Sequence, residues 1–237
     1  AKASIAGKLR NSRYVLLRGA RDSHDGDDAA VLRAAADSIA IDLRNLEFAP
    51  DLDTVRGLEG NSARCYFSAM PRLIRPDQRS DFSPDGRSRR PPRDRANALL
   101  SFLYSMLMND CRSALEVVGL DPQLGFLHAV RPGRAALALD LMEEFRAILA
   151  DRLALTLINR NQLKADDFVL RPGGAVQLQD DARKALIVAY QERKQEIIEH
   201  PLLEQKISVG LLPKIHAQLL ARVIRGDTET YIPFLAR

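Results

Sequence analysis

Two carboxylates, Asp140 and Glu143, lie in and directly after one of the most apolar runs of the chain, Ala135 to Met142. Leu and Ala are strong helix formers, so this run predicts a helix that is apolar on almost every side and therefore buried. Residues three apart share a helix face, so the two carboxyls are expected to converge. Because buried carboxylates are costly without a compensating partner, the pattern predicts a cation between them.

Two more side chains suit the same chemistry. His128 ends the segment Leu124-Gly125-Phe126-Leu127-His128, twelve residues before Asp140, and Glu59 lies far upstream. Carboxylates with one imidazole form an oxygen-rich ligand set, which suits Mg²⁺ or Mn²⁺ better than Zn²⁺. A histidine in an apolar loop usually has a structural role. Here its position ahead of a helix with two acids favours metal binding.

Four segments carry a resemblance to a known family. In chain order they are Glu-Gly-x-x-Ala-x-x-Tyr-Phe at Glu59, the helix Asp94 to Tyr104, Gly-Phe-Leu-His at His128, and Asp140 to Arg146. Each segment alone is weak evidence for a family, because Glu, His and Asp are common. Four segments in this order and at this spacing are a specific combination. From about Lys2 to Asp227, the chain resembles the CRISPR-associated endonucleases and integrases of spacer acquisition.

The resemblance implies roles for individual residues. Glu59, His128 and Glu143 resemble the ligands of Mg²⁺ or Mn²⁺, and Asp140 resembles their neighbouring acid. Many members carry Asp where this chain has Glu143. Basic side chains near DNA phosphates are implied three residues after two of the ligands, at Arg131 and Arg146. There they would neutralise charge that develops on phosphate oxygens. The implied reaction is metal-dependent DNA cleavage and the insertion of protospacer DNA into a CRISPR array.

The resemblance also implies partners and a further domain. The expected partners are double-stranded DNA (protospacer and CRISPR repeat), a second copy in a homodimer of the full-length protein, and a small CRISPR-associated protein that bridges dimers. Members usually open with a β-rich domain of roughly one hundred residues, a common domain size. This chain begins at Ala1 without such a domain. We therefore expect the catalytic domain of a longer protein, whose β-rich domain contributes to dimerisation.

The composition is that of a globular protein. Hydrophobic residues make up 46% of the 237 residues, which supports a real core. No stretch approaches the roughly eighteen apolar residues of a membrane span, and no signal-peptide pattern opens the chain. We therefore expect a cytoplasmic protein without membrane association. No Ser/His or Cys/His nucleophile arrangement and no glycine-rich phosphate loop is present, which argues against those classes of enzyme.

The excess positive charge lies in one segment. The net charge is +4, and residues 72–95 alone hold eight arginines against four aspartates. A loop with Pro, Ser and Gly and this charge predicts contact with phosphates, although it could be only a solvated surface. We expect this basic loop to cover residues 71–95. Its expected DNA-binding residues are Arg72, Arg75, Arg87, Arg89 and Arg90.

Apolar residues recur at helical spacing nearly throughout, which predicts an all-α fold with at most one small β-hairpin. A single helical catalytic domain over 1–237 is expected, opened by a helix within about residues 1–20. The expected helices cover about 5–17, 27–48, 52–69, 94–118, 135–159, 180–199 and 202–225. The hairpin is expected at Asp167–Leu170 and Ala175–Leu178, around Pro172-Gly173-Gly174.

Several other ionisable residues have structural explanations. A basic stripe on the first helix, which includes Lys8, is expected to be a solvated face. Glu144 is expected to be solvated or paired with an arginine. His200 and His216 have no acidic partner at ligand spacing, which favours a structural role for both.

Two alternatives remain open. The first is a generic Mg²⁺-dependent phosphoesterase with the same ligands, against which the basic loop argues, since a small substrate needs no extended basic surface. The second is a non-catalytic helical DNA-binding module in which the acids only pair with a buried arginine. A metal titration separates the second from an enzyme, because paired acids should give no Mn²⁺ signal.

Overall fold

The fold is mostly helical, as expected, in a computed structural model that describes residues 1–236. Arg237, the last residue of the expected domain, lies outside the described residues. The chain opens on a helix, and no β-rich domain precedes that helix within residues 1–236. The helices are α1 (Lys2–Asp22), α2 (Gly26–Glu47), α3 (Leu52–Ala69), α4 (Arg79–Phe82), α5 (Arg95–Val117), α6 (Ala136–Met142), α7 (Arg152–Asn159), α8 (Asp180–Gln195) and α9 (Leu212–Arg225).

Aspartates define where three of these helices begin. Asp25, Asp51 and Asp94 precede α2, α3 and α5, and each accepts a hydrogen bond from a backbone N–H of the first turn. An acceptor there satisfies a donor that has no partner inside the helix. At the other end of the chain, Gly226 closes α9 in the left-handed conformation, with φ of +80°.

One hydrophobic core joins these helices. In α5 the residues Leu99, Leu103 and Leu107, at spacings of four, are fully buried. This face of α5 lies in the same buried cluster as Leu16 of α1 and Leu32 of α2. α1 packs on α2, α2 on α3, and α5 on both α6 and α9. The amino-terminal helices and the segment that carries the two acids therefore share one core with α5.

The expected helix over 135–159 is interrupted. α6 ends at Met142, a π-helical segment covers Arg146–Asp151, and α7 follows. A π-helix bonds residue i to i+5, so Arg146 and Asp151 lie one turn apart. Both interact with Tyr104 of α5. Single π turns of this kind are frequent at functional sites.

Within residues 1–236, four short strands accompany the helices. β1 (Phe168–Leu170) pairs antiparallel with β2 (Val176–Leu178), which confirms the expected hairpin. A second antiparallel pair, β3 (Ile197–Glu199) and β4 (Lys206–Ser208), lies where helices were expected. The β-branched residues of β3 favour extended backbone, and Pro201, two residues after β3, opposes a continuous helix. α8 therefore ends earlier and α9 begins later than the sequence predicts.

The basic segment 71–95 is less irregular than expected. Its first part contains short 3₁₀ turns at Met70–Leu73 and Pro76–Gln78, followed directly by α4. The part from Ser83 to Asp94 has no helix or strand. The expectation of one open loop was therefore wrong for its first half.

Within residues 1–236, no helix is long and apolar enough to cross a membrane.

Candidate metal centre

Three helices bring charged side chains to one point. The Lys8 ammonium on α1 lies 2.6 Å from Oε2 of Glu143, directly after α6, and also forms an ion pair with Glu59 of α3. Lys8 and Glu143 are almost fully buried, whereas a quarter of the Glu59 side chain is exposed. The two carboxylates predicted to meet from distant parts of the chain therefore share one cation at the edge of the core.

His128 is held beside this point by Asp140. Its Nδ1 lies 2.5 Å from Oδ1 of Asp140, which is fully buried. The same carboxylate accepts backbone N–H bonds from Phe126, Leu127 and His128 at 2.6 to 2.9 Å. Because the Asp140 oxygens accept the backbone N–H bonds, Nδ1 of His128 is assigned as the donor to Asp140, and Nε2 is the ring nitrogen that points away from this carboxylate.

The loop needs a glycine to reach Asp140. A Cβ added to Gly125 would lie 2.7 Å from Cβ of Ala136 and 2.9 Å from Oδ2 of Asp140. Contacts that short do not occur between real Cβ atoms and their neighbours. Gly125 therefore allows the backbone before His128 to pack directly on α6.

Neighbouring charges keep Glu143 ionised in spite of its burial. Burial alone would raise its pKa, but the charges of Arg146 and Lys8 lower the pKa to about 2. His128 acts in the same direction, so the imidazole lies within electrostatic range of the Glu143 carboxylate. The three expected ligands, Glu59, His128 and Glu143, thus belong to one electrostatic cluster.

Arg146 holds the Glu143 carboxylate through hydrogen bonds. Its Nη1 donates to both oxygens of Glu143, at 2.9 and 3.0 Å, and its guanidinium lies 4.3 Å from the ring centre of Tyr104. Burial opposes its charge, yet Glu143 raises the pKa of Arg146 above its ordinary value. Because Arg146 is buried in these contacts, it positions Glu143. The expectation that Arg146 faces DNA phosphates does not fit this geometry.

A polar layer continues beneath Arg146. The Tyr104 hydroxyl donates to Asp151 at 2.6 Å, while the Tyr66 hydroxyl and Nε of Arg146 are buried without a hydrogen-bond partner among the described residues. Burial raises the pKa of Asp151, although Tyr104 and Arg146 oppose that effect. A cavity of about 20 Å³ lies beside these groups, which is enough room for a single water molecule.

Asp140 and Glu143 do not share a cation in the way their spacing predicts. Asp140 has three backbone N–H donors and His128, whereas Glu143 has Lys8 and Arg146. Each buried carboxylate therefore has its own compensation. Asp140 orients a neighbouring side chain, and only Glu143 faces the cation.

Arg87 also differs from expectation. Its guanidinium turns inward, where Nη1 donates to Asn97 at 2.7 Å, Nη2 donates to Ser101 at 3.1 Å, and the group lies 5.2 Å from the Tyr104 ring centre. These contacts hold Arg87 in the structure, so its predicted contact with DNA is replaced by a packing role. Arg89 and Arg90, by contrast, are exposed.

Arg72 and Arg75 are held by residues outside the candidate metal centre. Arg72 donates to the buried Asp28 of α2 at 2.9 Å, and the backbone N–H of Arg75 donates to Asn159 at 2.9 Å. Arg131 is exposed in a turn, and its side chain forms no hydrogen bond or ion pair with residues 1–236. Its predicted role near DNA stays a prediction.

Two residues of this region were missed from the sequence. Lys8 is 9% exposed rather than solvated, and the only local signal was its place beside the buried Leu9. Glu144 is 1% exposed and accepts hydrogen bonds from the Tyr231 hydroxyl and from the Phe234 N–H. Its partners are 87 and 90 positions away, so no local signal could identify them.

Within the described chain, no three His, Cys, Asp or Glu side chains meet at metal-coordination distance. The Lys8 ammonium lies where the carboxylates of Glu59 and Glu143 converge. Two carboxylates and the Nε2 of His128 form the kind of donor set that hard divalent ions take. The residues present therefore fit a divalent metal, provided that Lys8 moves aside.

Known proteins resemble this chain over its whole length. A family model described as "CRISPR associated protein Cas1" matches residues 1–192. A protein of Moorella thermoacetica named CRISPR-associated endonuclease Cas1 1 is 57% identical, over all of this chain and 69% of its own length. A protein of Leptospira interrogans named CRISPR-associated endonuclease Cas1 is 50% identical, over 99% of this chain and 92% of its own length.

Solved structures share the fold. A Cas1 protein from Thermotoga maritima has a TM-score of 0.77 at 26% identity, over 95% of this chain and 66% of its own. A partial Cas6-RT-Cas1–Cas2 complex has a TM-score of 0.82 at 24% identity, over 98% of this chain and 66% of that chain. The family match and the two relatives confirm the resemblance seen in the motifs. This chain belongs to the Cas1 family of CRISPR-associated proteins.

Proposed function

We propose that this chain is the catalytic domain of a DNA endonuclease and integrase that inserts protospacer DNA into CRISPR arrays, with Mg²⁺ or Mn²⁺ held by Glu59, His128 and Glu143. The observation that carries the proposal is the buried Lys8 ammonium between Glu59 and Glu143, beside the imidazole that Asp140 orients. The relatives at 57% and 50% identity are named endonucleases, which supports the same activity here.

The metal ion would supply Lewis-acid polarisation of the scissile phosphate and a lower pKa for the attacking hydroxyl. The residues of the chain prepare for that role. Asp140 fixes the ring of His128 and keeps the proton on Nδ1, so Nε2 can act as a ligand. Arg146 keeps Glu143 ionised and oriented from below. In integration the attacking hydroxyl is a DNA 3′-end, and in cleavage it is water.

The substrate is double-stranded DNA, protospacer on one side and CRISPR repeat on the other. Exposed Arg89 and Arg90, together with Arg131, are proposed to contact its phosphates. The full-length protein is proposed to act as a homodimer, and a small CRISPR-associated protein is proposed to bridge two dimers. The similarity to a chain of a Cas1–Cas2 complex supports an assembly of this kind.

One observation favours the alternative of a non-catalytic DNA-binding module. Glu143 does pair with a buried arginine, Arg146. Pairing alone does not account for Glu59, which has no arginine partner among residues 1–236 and contacts only the ammonium that also serves Glu143. Nor does it account for the imidazole of His128, whose Nδ1 is held by Asp140 and whose Nε2 has no hydrogen-bond partner among residues 1–236. The generic phosphoesterase has no observation in its favour.

A cleavage and strand-joining assay tests the proposal. Glu59→Ala and His128→Ala are compared with wild type and with Glu192→Ala, which changes an exposed glutamate on α8. Wild type and Glu192→Ala should cut and join labelled DNA in Mn²⁺, and EDTA should abolish both reactions. Glu59→Ala and His128→Ala should lose both reactions while still binding DNA. Equal metal-dependent activity in all four proteins would contradict the assignment.

A further inference from the structure

A wide groove lies away from the metal centre. It is bounded by the carboxyl half of α1, the turns at 72–79 and α7, and its volume is about 1080 Å³. Pockets that enclose small ligands are usually roughly 300–1,000 Å³, so this open groove is large for one. Its charged lining consists of Arg18, Arg72, Arg75, Arg79, Arg152 and Arg160 with Asp22, Asp25, Asp28 and Asp77.

The acids of the groove are already engaged. Asp28 accepts from both Arg72 and Arg79, and Asp25 caps α2. Arg18 lies 3.6 Å from Asp22, and Arg75 lies 3.7 Å from Asp77. After these contacts, two arginines remain. The side chains of Arg152 and Arg160 form no hydrogen bond or ion pair with any residue of the described chain.

Of these two arginines, Arg152 lies where a positive charge is less favourable. It is half-buried, and it lies where the groove meets a second cavity of about 350 Å³ that is also lined by Arg193 and Glu199. Burial lowers the pKa of Arg152, and the nearby charges of Arg18 and Arg193 lower it further, whereas Tyr14 and Glu196 act in the opposite direction. A half-buried guanidinium among like charges is costly, and an anion placed between them would offset that cost.

The π-helical segment explains why this arginine points away from the metal centre. Arg146 and Asp151 lie one π turn apart and both face Tyr104. Arg152 is the next residue, so its side chain leaves the helix on another side. Residues 146–152 thereby supply Arg146, which positions Glu143, and Arg152, which lines the groove.

We propose that Arg152, with Arg18 and Arg160 beside it, binds a backbone phosphate of DNA, and that the groove is a second DNA-contacting surface remote from the metal centre. A guanidinium matches a phosphate through paired N–H donors. The spread of arginines along an open groove suits a polyanion better than one small anion. The proposal rests on the proposed function, because it takes DNA as the ligand.

Binding measured in EDTA tests this site without any catalysis. A labelled DNA duplex is titrated with wild type, Arg152→Met and Arg160→Met between about 50 and 200 mM salt. Arg222→Met is the matched control, because Arg222 is exposed on α9, outside the groove, and has no ion pair among residues 1–236. Arg152→Met should lower the slope of log affinity against log salt by about 0.9 and weaken binding several-fold at the lower salt. Arg222→Met should retain the wild-type slope.

Thermal melts separate this role from a structural one. Without ligand, Arg152→Met should melt at the wild-type temperature or higher, since an unfavourable charge is removed. A lower melting temperature with an unchanged salt slope would overturn the proposal, and Arg152→Gln gives a second test of that outcome. If inorganic phosphate stabilises wild type but not Arg152→Met while duplex binding is unaffected, the site takes small phosphates and the DNA assignment fails. If wild type cuts no DNA but Arg152→Met still has a smaller salt slope than wild type, this DNA-binding site is supported and only the proposed catalytic function is overturned.

Discussion

The Lys8 ammonium lies 2.6 Å from a carboxylate oxygen of Glu143, although Lys8 lies on α1 and Glu143 directly follows α6. The same nitrogen contacts Glu59. A divalent ion and this ammonium would compete for the same two carboxylates. This competition can therefore be tested without DNA, by measuring metal binding and stability.

Replacing Lys8 by Met should make the stability of the protein depend more strongly on bound metal. Without the ammonium, Glu59 and Glu143 repel each other, and the free energy of unfolding in EDTA should fall by about 1–3 kcal/mol. Mn²⁺ should bind more tightly than to wild type, because no internal cation must be displaced. Calorimetric Mn²⁺ titration and melts in EDTA measure both effects.

Lys2→Met is the control for that change, because Lys2 is exposed on the same helix and donates only to a backbone carbonyl. It should leave both quantities unchanged. Weaker Mn²⁺ binding in Lys8→Met would show that Lys8 assists the ligands instead of competing with the metal.

The two carboxylates should differ in their effect on stability. Glu143→Ala strands the buried charges of Lys8 and Arg146, so we expect a loss of about 3–5 kcal/mol in the free energy of unfolding. Glu59→Ala removes a partly exposed partner and leaves Lys8 paired with Glu143, so the loss should be less than about 1 kcal/mol. Both variants should lose the stabilisation that Mn²⁺ gives to wild type. Melts with EDTA or Mn²⁺ decide this, and equal losses for the two variants in EDTA would contradict the geometry.

The arginines of the basic segment should separate into two groups. The double variant Arg89→Ala/Arg90→Ala should reduce the salt dependence of DNA binding by up to about two charges' worth of slope and leave the melting temperature unchanged. Arg87→Ala should instead lower stability by about 1–3 kcal/mol, since it removes the bonds to Asn97 and Ser101 and the contact with Tyr104. A stable Arg87→Ala protein with a shallower salt slope would return Arg87 to the DNA surface.

Stability should fall as the pH rises above neutrality, because of Glu144. Burial raises its pKa from 4.5 to about 8, so the folded protein holds a proton that the unfolded chain loses within this window. Stability therefore decreases with rising pH between the two values. His216, whose pKa burial lowers from 6.5 to about 3, acts in the opposite direction only up to pH 6.5. Between pH 6.5 and 8, His216 does not oppose the effect of Glu144. The free energy of unfolding should therefore fall by about 1.4 kcal/mol per pH unit in this range.

Glu144→Gln isolates that effect. The amide keeps an acceptor for the Tyr231 hydroxyl and the Phe234 N–H but does not titrate. Melts in EDTA at pH 6.5 and 8 should show a smaller decrease for the variant than for wild type. Parallel decreases in the two proteins would mean that Glu144 is ionised throughout this range.

The local rules of the sequence determined much of the fold. The expected helix over 52–69 agrees with α3 residue for residue, and the helix expected from Asp94 agrees with α5 and its cap. The hairpin around Pro172-Gly173-Gly174 was also predictable. These features depend on caps, turn residues and apolar spacing, all of which act between near neighbours. The ordered motifs were specific enough to indicate the family, which the comparisons confirm.

Only the tertiary structure decided how the charges are paired. The sequence placed Lys8 on a solvated stripe and Arg87 on a DNA-binding loop, yet both turn inward. It also gave no sign of the π turn that brings Arg146 and Asp151 to Tyr104. The sign and burial of a side chain's partner depend on which helices pack together, and those partners come from residues far apart in the chain. Helical periodicity shows which face of a helix is apolar, whereas the ion that a buried charge meets is set by the helix packed against it.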